Sequence, residues 1–354
     1  MTLTPRAVAF LQRLTDSPGP SGYEGPPARI WRDEASVFAD DVYGDVLGNS
    51  FARLARSDAP KVIIEGHIDE IGLLITHIDE QGFIWFDRIG GWDEQVLVGQ
   101  RIRIASTKGD VFGAIGKKAA HLLRPEDREK PAQIRDLWID IGAKDHAAAT
   151  NRVEIGDPAV IDARFLQITD DLCASRSMDN RVGAFVALEA LRLLADDRPA
   201  ADVYALAATR EEVSFAGAYT GAFQIAPDVA IAIDVTHATD YPGSDKQLNG
   251  DVKLAGGPVL ARGASLNPIV FQGLRETSVK LGMHCPVQGN ARSSGTDADA
   301  MIATGRGTAT GLVSIPNRYM HSPNEIVSLT DLADAAKLIA SYVRTITVES
   351  DFRP

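Results

Sequence analysis

Two adjacent glutamates, Glu211 and Glu212, follow an apolar segment and offer the clearest chemistry in this sequence. Side chains of a strand alternate between its faces, so neighbouring glutamates can serve one site only where the backbone leaves the strand and turns. A metal centre would tolerate two negative charges there, because one carboxylate could bind a cation while the other handles a proton of a reacting water. Further ligands should then lie at other strand ends.

Histidine and carboxylate side chains recur at predicted strand ends and tight turns. They are His67, Asp69, Asp179, Asp234 and His321, in addition to the glutamate pair. Imidazole nitrogen and carboxylate oxygen are the ligands of hydrolytic Zn, Co or Mn centres, and one carboxylate can bridge two ions about 3.5–4 Å apart. Taken singly, the acidic residues also suit helix caps or exposed turns. Five ligands of this kind would suffice for two metals.

Apolar segments of buried-strand length precede several of these residues. They cover residues 61–66, 202–208 and 229–233. Helical patterns alternate with them and are predicted over residues 4–14, 182–194, 268–281 and 330–343, with another helix after residues 293–297. Strands that alternate with helices predict a sheet layered with helices, whose strand ends present the polar residues.

Between Ile71 and about Asp162 the hydrophobic pattern of the sequence differs from that of the flanking parts. This part consists of short alternating segments separated by turn signals such as Gly90-Gly91 and Lys108-Gly109-Asp110. It predicts a small all-β unit. The length of 354 residues agrees with two domains, or with one larger domain and an insertion, at roughly 150 residues per domain.

Composition excludes several classes of partner. The chain has 36 Lys and Arg against 48 Asp and Glu, a net charge of -12, and no basic block that could follow nucleic acid. No apolar run approaches the roughly 20 residues that cross a bilayer.

The N-terminal segment contains arginines and lacks the apolar core of a signal peptide, so we expect a cytoplasmic protein. Cys173 and Cys285 are far apart, which argues against a disulfide framework or a thiolate metal site.

Five short motifs, in this order, resemble those of the glutamyl and tetrahedral (TET-type) dinuclear aminopeptidases. They are Gly66-His67-Ile68-Asp69-Glu70, Ser177-Met178-Asp179-Asn180-Arg181, Glu211-Glu212-Val213, Ile233-Asp234-Val235 and Tyr319-Met320-His321-Ser322-Pro323. Two further segments, Ile89-Gly90-Gly91-Trp92 and Gly295-Thr296-Asp297-Ala298, extend the resemblance over nearly the whole chain. The second of these could also be a helix cap or a substrate-contacting loop.

The resemblance implies a role for each residue of the cluster. His67 and Asp234 would bind one divalent ion, Glu212 and His321 the other, and Asp179 would bridge them. The implied cofactor is two Zn or Co ions per subunit, with Mn as an alternative. Glu211 would be the general base, and Asp69 would fix the tautomer of His67. Asn180 stands where many relatives carry a second Asp, so metal affinity or preference could shift.

The resemblance also implies the fold and assembly. The expected class is α/β, with a helix-layered mixed β-sheet catalytic domain of the zinc-exopeptidase kind formed by residues 1–70 and 163–354. A smaller β-rich, barrel-like dimerisation domain of residues 71–162 would interrupt it. Dimers would assemble into a tetrahedral dodecamer, a homo-oligomer whose openings favour short peptide substrates.

The leading expectation is a metallo-aminopeptidase in which a metal-bridging water attacks the peptide carbonyl and Glu211 takes its proton. The segment Gly91-Trp92-Asp93-Glu94-Gln95 is closer to relatives that prefer neutral side chains, so we expect large neutral N-terminal residues such as leucine. A glutamyl-preferring enzyme of the same family is the alternative. A glycosidase with paired carboxylates, or a non-enzymatic assembly protein that binds a structural cation, also remains open.

The other basic residues carry weaker expectations. His77, His121, His146, His237 and His284 are interpreted as ordinary core or surface histidines, although His237 follows Asp234 by three positions and could line the pocket. A basic residue in the pocket would favour acidic substrates. Arg181, Arg262 and Arg292 are the arginines considered for that place.

Overall fold

The computed structural model describes residues 2–125 and 130–354. Its α-helices are α1 (Pro5–Asp16), α2 (Gly25–Ala35), α3 (His146–Thr150), α4 (Met178–Asp196), α5 (Glu211–Ser214), α6 (Ala216–Ile225), α7 (Lys246–Asn249), α8 (Pro268–Lys280), α9 (Asp297–Ile302) and α10 (Leu329–Val343). Its strands are β1 (Asp41–Gly44), β2 (Ser50–Leu54), β3 (Lys61–His67), β4 (Gly72–Ile78), β5 (Ile84–Ile89), β6 (Arg101–Ser106), β7 (Gly109–Lys117), β8 (Leu137–Asp140), β9 (Pro158–Ile161), β10 (Leu166–Gln167), β11 (Leu172–Ser175), β12 (Asp202–Ala208), β13 (Val229–His237), β14 (Val259–Gly263), β15 (Val287–Asn290), β16 (Ala309–Asn317) and β17 (Glu325–Ser328).

An eight-stranded mixed sheet forms the centre of the larger part, in the order β1-β2-β12-β3-β13-β16-β14-β15. The four strands from β12 to β16 in this order are parallel, whereas β2 joins β12 and β14 joins β16 in antiparallel pairs. The central strands are buried on both faces, which explains their almost continuous apolar sequences.

Helices cover both faces of this sheet. Val62 and Ile64 of β3 belong to a core shared with α1, α4 and α10, whereas Ile63 between them belongs to a second core shared with α6 and α9. Successive residues of a strand face opposite sides, so one strand contributes to both cores. The predicted helix-layered sheet is confirmed.

The predicted β-rich unit is a closed barrel in the order β4-β5-β8-β7-β6-β9. Its isoleucine-rich interior forms a third core, separate from those of the large sheet. A small antiparallel sheet, β10-β11-β17, lies outside both. In the described ranges no helix combines the length and apolar character that a membrane crossing needs.

Candidate metal centre

The sheet brings three predicted site segments to one edge. β3 ends at His67, β12 ends three residues before Glu211, and these strands are neighbours. β13 lies on the other side of β3, and its last residue paired with β3 is Ala232, so Asp234 lies level with His67. Because parallel strands share the direction of their carboxyl ends, polar residues at those ends meet.

The other two predicted ligands come from outside the sheet. Asp179 lies in the first turn of α4, where its dihedral angles are not helical, and the Asp179–Asn180 peptide bond is cis. Its side chain does not cap the helix. α4 approaches β3 very closely, because a Cβ at Gly66 would overlap the backbone of Gly183. His321 lies in the connection between β16 and β17.

Asp179 joins two ligand groups. Its Oδ1 lies 3.3 Å from Nε2 of His67, and its Oδ2 lies 3.2 Å from Nε2 of His321. One group consists of His67, Asp179 and Asp234, and the other of Asp179, Glu212 and His321. A third group, His67 with Glu211 and Glu212, does not include Asp179. Within each group, one ligand atom from each residue lies within 4.8 Å of the others. The two groups that contain Asp179 are compatible with two adjacent cation positions that share one carboxylate.

The residues present fit divalent cations. Nε2 of His67 and Oε1 of Glu212 are buried and lack a hydrogen-bond partner among the described residues. Buried polar atoms are normally paired, so unpaired ones at the centre of a cluster indicate a missing positive partner. Nitrogen and oxygen donors in these numbers suit Zn, Co or Mn.

Comparison with known proteins agrees with this geometry. The family profile described as M42 glutamyl aminopeptidase matches residues 48–338. The lysyl aminopeptidase of Pyrococcus furiosus is 33% identical over 349 residues, which are 98% of this chain and 99% of that protein. The crystal structure of a TET aminopeptidase from a marine sediment archaeon of the Thaumarchaeota has a TM-score of 0.93 at 31% identity and covers 97% of each chain. A structure of the Pyrococcus horikoshii TET1 peptidase, described as able to assemble into a tetrahedron or a large octahedral shell, has a TM-score of 0.85 at 30% identity and covers 95% of this chain and 99% of that one.

The chain belongs to the M42 glutamyl aminopeptidase family. It is therefore a peptide hydrolase, and the family resemblance inferred from the five motifs is confirmed. M42 peptidases are metalloenzymes, in agreement with the histidine and carboxylate groups at the sheet edge.

In this M42 peptidase, Asp69 organises one side of the centre. Its backbone carbonyl lies 3.3 Å from Nδ1 of His67, and its Oδ1 lies 3.4 Å from the same nitrogen. The same carboxylate accepts hydrogen bonds from the backbone N–H groups of Glu211 and Glu212 and from the hydroxyl of Ser21. Burial opposes its ionisation, but the contacts with His67 and Ser21 lower the pKa of Asp69 below its ordinary value. One buried residue thus contacts a histidine and the backbone of both glutamates.

The charges of the cluster shift its titration strongly. Burial disfavours protonation of the histidines, but Asp179 and Glu212 raise the pKa of His321 to about 11. Glu211 and Asp179 similarly raise the pKa of His67 well above its ordinary value. Burial raises the pKa of Asp234 as well, whereas contacts with the two histidines outweigh burial and lower the pKa of Asp179. Before a cation binds, the two histidines and Asp234 therefore favour their protonated forms.

Glu211 lies beside this centre. Its Oε2 is 3.6 Å from Nε2 of His67, and the side chain lines the adjoining cavity. Burial, together with the charges of Asp297, Glu212 and Asp179, raises the pKa of Glu211 to about 9. A carboxyl group with a raised pKa next to a hydrolytic centre has the properties of a general acid and base.

Asn180 does not face the metal positions. Its amide donates a hydrogen bond of 2.6 Å to the carbonyl of Ile233, the residue before Asp234, and its oxygen accepts one from the N–H of Gly183. An ionised aspartate could not donate the first bond. Asn180 thus connects α4 to β13, the strand that carries the predicted ligand Asp234, and sequence reasoning missed this contact.

A cavity of about 970 Å³ opens from the centre. Apolar side chains on its wall are Phe215, Val235, Leu248, Val287 and Met320, and basic ones are Arg292 and His237. Arg181 is instead fully buried and bonded to backbone carbonyls and Glu70. Arg262 lies over the ring of Phe271 at 5.4 Å. Among the three arginines considered from the sequence, Arg292 is the one on the cavity wall.

Two further carboxyl groups lie close to the proposed ligands. Glu65 was missed by sequence reasoning, and Asp297 was named only as part of the segment Gly295-Thr296-Asp297-Ala298. Glu65 and Asp297 are buried, and the contact between them helps to set their titration. Burial raises the pKa of Glu65 to about 8 and that of Asp297 well above its ordinary value. The cap of α9 is Thr296, so Asp297 points inward instead of capping the helix. A charged residue inside the apolar β3 segment was the available signal for Glu65.

Proposed function

We propose that this M42 peptidase is a dinuclear aminopeptidase that removes the N-terminal residue of short peptides. The observation that carries the proposal is the position of Asp179, whose two carboxylate oxygens face two histidines of different ligand groups. The structural-cation alternative does not account for Glu211 and the cavity beside the centre. The glycosidase alternative leaves both histidines without a role.

The ligand assignment follows the two groups. His67 and Asp234 would hold one cation, Glu212 and His321 the other, and Asp179 would bind both. Bound Zn, Co or Mn would supply Lewis acidity, a lower pKa for a water molecule and a positive charge for a substrate amine. The backbone carbonyl and the carboxylate of Asp69 both face Nδ1 of His67, which favours the tautomer that leaves Nε2 free for a metal.

Glu211 is the proposed base. Its carboxylate would take a proton from the attacking water and give it to the leaving amine of the scissile bond. The backbone N–H of Glu211 is fixed by Asp69, so the side chain starts from a defined position. If the side chain of Glu211 rotated freely, its carboxylate would less often be aligned with the attacking water for proton transfer.

The test is hydrolysis of a tripeptide such as Leu-Gly-Gly and of its N-acetylated form after chelator treatment and re-addition of Zn, Co or Mn. We expect metal-dependent release of leucine from the free peptide and none from the blocked one. Internal cleavage of the blocked peptide, or full activity in the presence of chelator, would contradict the proposal. Cellulose hydrolysis that survives chelation would favour the glycosidase.

Specificity has two candidates. The apolar side chains of the cavity, including Leu248 and Val287, support the preference for large neutral residues expected from the sequence. Arg292 and His237 line the same cavity and support acidic residues, because a guanidinium on the wall would attract a negatively charged side chain. The hydrolysis rates of leucyl-, glutamyl- and lysyl-p-nitroanilide, measured for the wild type and for Arg292→Gln, decide between neutral and acidic substrates. A selective loss of glutamyl turnover would assign Arg292 to the side chain of the substrate.

We also propose the assembly and domain division implied by the sequence. Residues 71–162, which contain the barrel, would be the dimerisation domain, and residues 1–70 and 163–354 the catalytic domain. Support comes from the related TET1 peptidase, which is described as able to assemble into a tetrahedron. The chain would then be a homo-oligomer of twelve copies.

A further inference from the structure

Glu325 lies next to the proposed centre without belonging to either ligand group. It begins β17, where it pairs with Ser175 at the end of β11, and only 2% of its surface is exposed. β11 leads into the segment of Asp179, and His321 precedes Glu325 by four residues. The carboxylate therefore lies between the chain segments of two proposed ligands.

Each oxygen of this carboxylate holds one of those ligands. Oε2 of Glu325 accepts a hydrogen bond of 2.9 Å from the backbone N–H of Asp179. Oε1 accepts one of 2.8 Å from the backbone N–H of His321. A single side chain thus connects the backbone of the shared ligand with that of a ligand to one cation only.

The backbone at His321 needs such support. Its φ of 59° lies in the left-handed region, which residues with a Cβ rarely adopt. Tyr319, two residues earlier, has a φ of 63°. A turn with two such residues keeps its form only where surrounding contacts determine it, and the bond to Glu325 is one of them.

We propose that Glu325 is a positioning residue that sets the cation affinity of the position formed by Asp179, Glu212 and His321. The inference rests on the proposed dinuclear function. Asp69 holds the backbone of Glu212, so two buried acids together hold all three ligands of this position. No hydrogen bond joins Glu325 to His67 or Asp234 in residues 2–125 and 130–354. The other position therefore depends on Glu325 only through the shared Asp179.

Glu325→Gln is the variant that tests this role. The amide has the same size but one acceptor oxygen, and its NH₂ group would face a backbone N–H donor. The matched control is Asp331→Asn. Asp331 is also buried and also accepts two backbone hydrogen bonds of 2.8 Å, from Ala255 and Gly257, but it contacts no proposed ligand.

The experiment is calorimetric titration of Co²⁺ into the full-length chain after chelator treatment, with the visible Co²⁺ spectrum recorded in parallel. We expect two binding steps in the wild type. Glu325→Gln should weaken one step by about tenfold to a hundredfold, as is typical for residues that orient a metal ligand, and leave the other close to wild type. Asp331→Asn should lose thermal stability and keep both steps.

Three results would overturn the inference. The first is a Glu325→Gln variant in which both binding steps are unchanged. The second is a Glu325→Gln variant whose two steps are both weakened, and to the same extent as in Asp331→Asn. If Glu325→Gln does not fold, Glu325→Asp, which keeps two acceptors on a shorter side chain, is titrated and judged by the same criterion. The third is a wild-type protein that binds fewer than two Co²⁺ ions, which would overturn the dinuclear function and, with it, the inference.

Discussion

Asp179 shows how much a single side chain depends on its surroundings. Its residue type and its place before a helical segment are typical of an N-cap, yet the cap position of α4 is Ser177 and the carboxylate of Asp179 faces two histidines. An asparagine there would offer one acceptor oxygen instead of two. The bridging role proposed for Asp179 therefore requires a carboxylate.

Glu211→Gln gives the most direct prediction at the residue scale. The variant should keep its bound metal, because the proposed ligands are unchanged, and its kcat should fall by about 10²- to 10⁴-fold through loss of proton transfer. Steady-state kinetics with metal analysis of the same sample measure both. The control is Glu276→Gln on the exposed side of α8, which should behave as wild type. Near-normal turnover in Glu211→Gln would remove Glu211 from its role.

The shifted pKa values predict how metal binding depends on pH. The pKa of His321 is raised to about 11 and that of Glu211 to about 9, so both groups hold protons at neutral pH before a cation binds. A cation must displace protons from the cluster, so its affinity should rise with pH and fall on acidification. Calorimetry in buffers of different ionisation enthalpy should detect proton release. A binding enthalpy that is the same in all buffers would contradict this.

At the scale of elements, the close packing of α4 on β3 positions Asp179, the proposed bridging ligand. A Cβ at Gly66 would overlap the backbone of Gly183, so Gly66→Ala must push the helix away from the strand. We expect a loss of about 1–3 kcal/mol of stability from overpacking, together with weaker metal binding. Urea unfolding of the chelator-treated protein measures the first effect.

Gly289→Ala is the matched control for that substitution. Gly289 also lies in a strand, but a Cβ there would meet no atom within 4 Å. The free energy of unfolding should stay close to that of the wild type, or rise by about 0.4–1 kcal/mol because alanine lowers the conformational entropy of the unfolded chain. Equal losses in the two variants would show that the contact with α4 is not the cause.

The sequence predicted the elements that are apolar throughout and missed those that are polar at intervals. Segments 61–66, 202–208 and 229–233 correspond to β3, β12 and β13. β2 was missed because Arg53 interrupts its pattern, and only the fold shows that this side chain pairs with the buried Asp202 of the neighbouring strand. α2 was missed as well. Its first turn contains two prolines, which are tolerated there but suggest a loop in isolation.

The candidate site divides in the same way. The proposed ligands could be named because metal chemistry restricts the residue types and because the motifs resemble a family. Glu325 could not be named, since its role depends on the backbone of Asp179 in a distant part of the chain. Glu65 left one signal, its charge inside an apolar segment, but its contact with Asp297 appears only in the fold. Sequence spacing carries no information about such contacts.

At the scale of the whole molecule, the assembly is the main prediction. Val213, Tyr219 and Phe223 leave large apolar surfaces exposed on the single chain, at 54%, 47% and 64%. Apolar side chains that lie close together in sequence on a surface commonly mark contacts between proteins. Native mass spectrometry should show a complex of twelve chains, and dilution should give dimers before monomers. A stable monomer at micromolar concentration would contradict the assembly.

The cytoplasmic location stays a prediction of the sequence.

Anomalous diffraction from crystals of the active enzyme, recorded at the absorption edge of the bound metal, would locate the proposed cations directly. We expect two peaks per chain, one on each side of Asp179. One peak should be bordered by His67 and Asp234, and the other by Glu212 and His321. A single peak, or no peak in crystals whose dissolved protein still releases N-terminal residues, would contradict the proposed dinuclear centre.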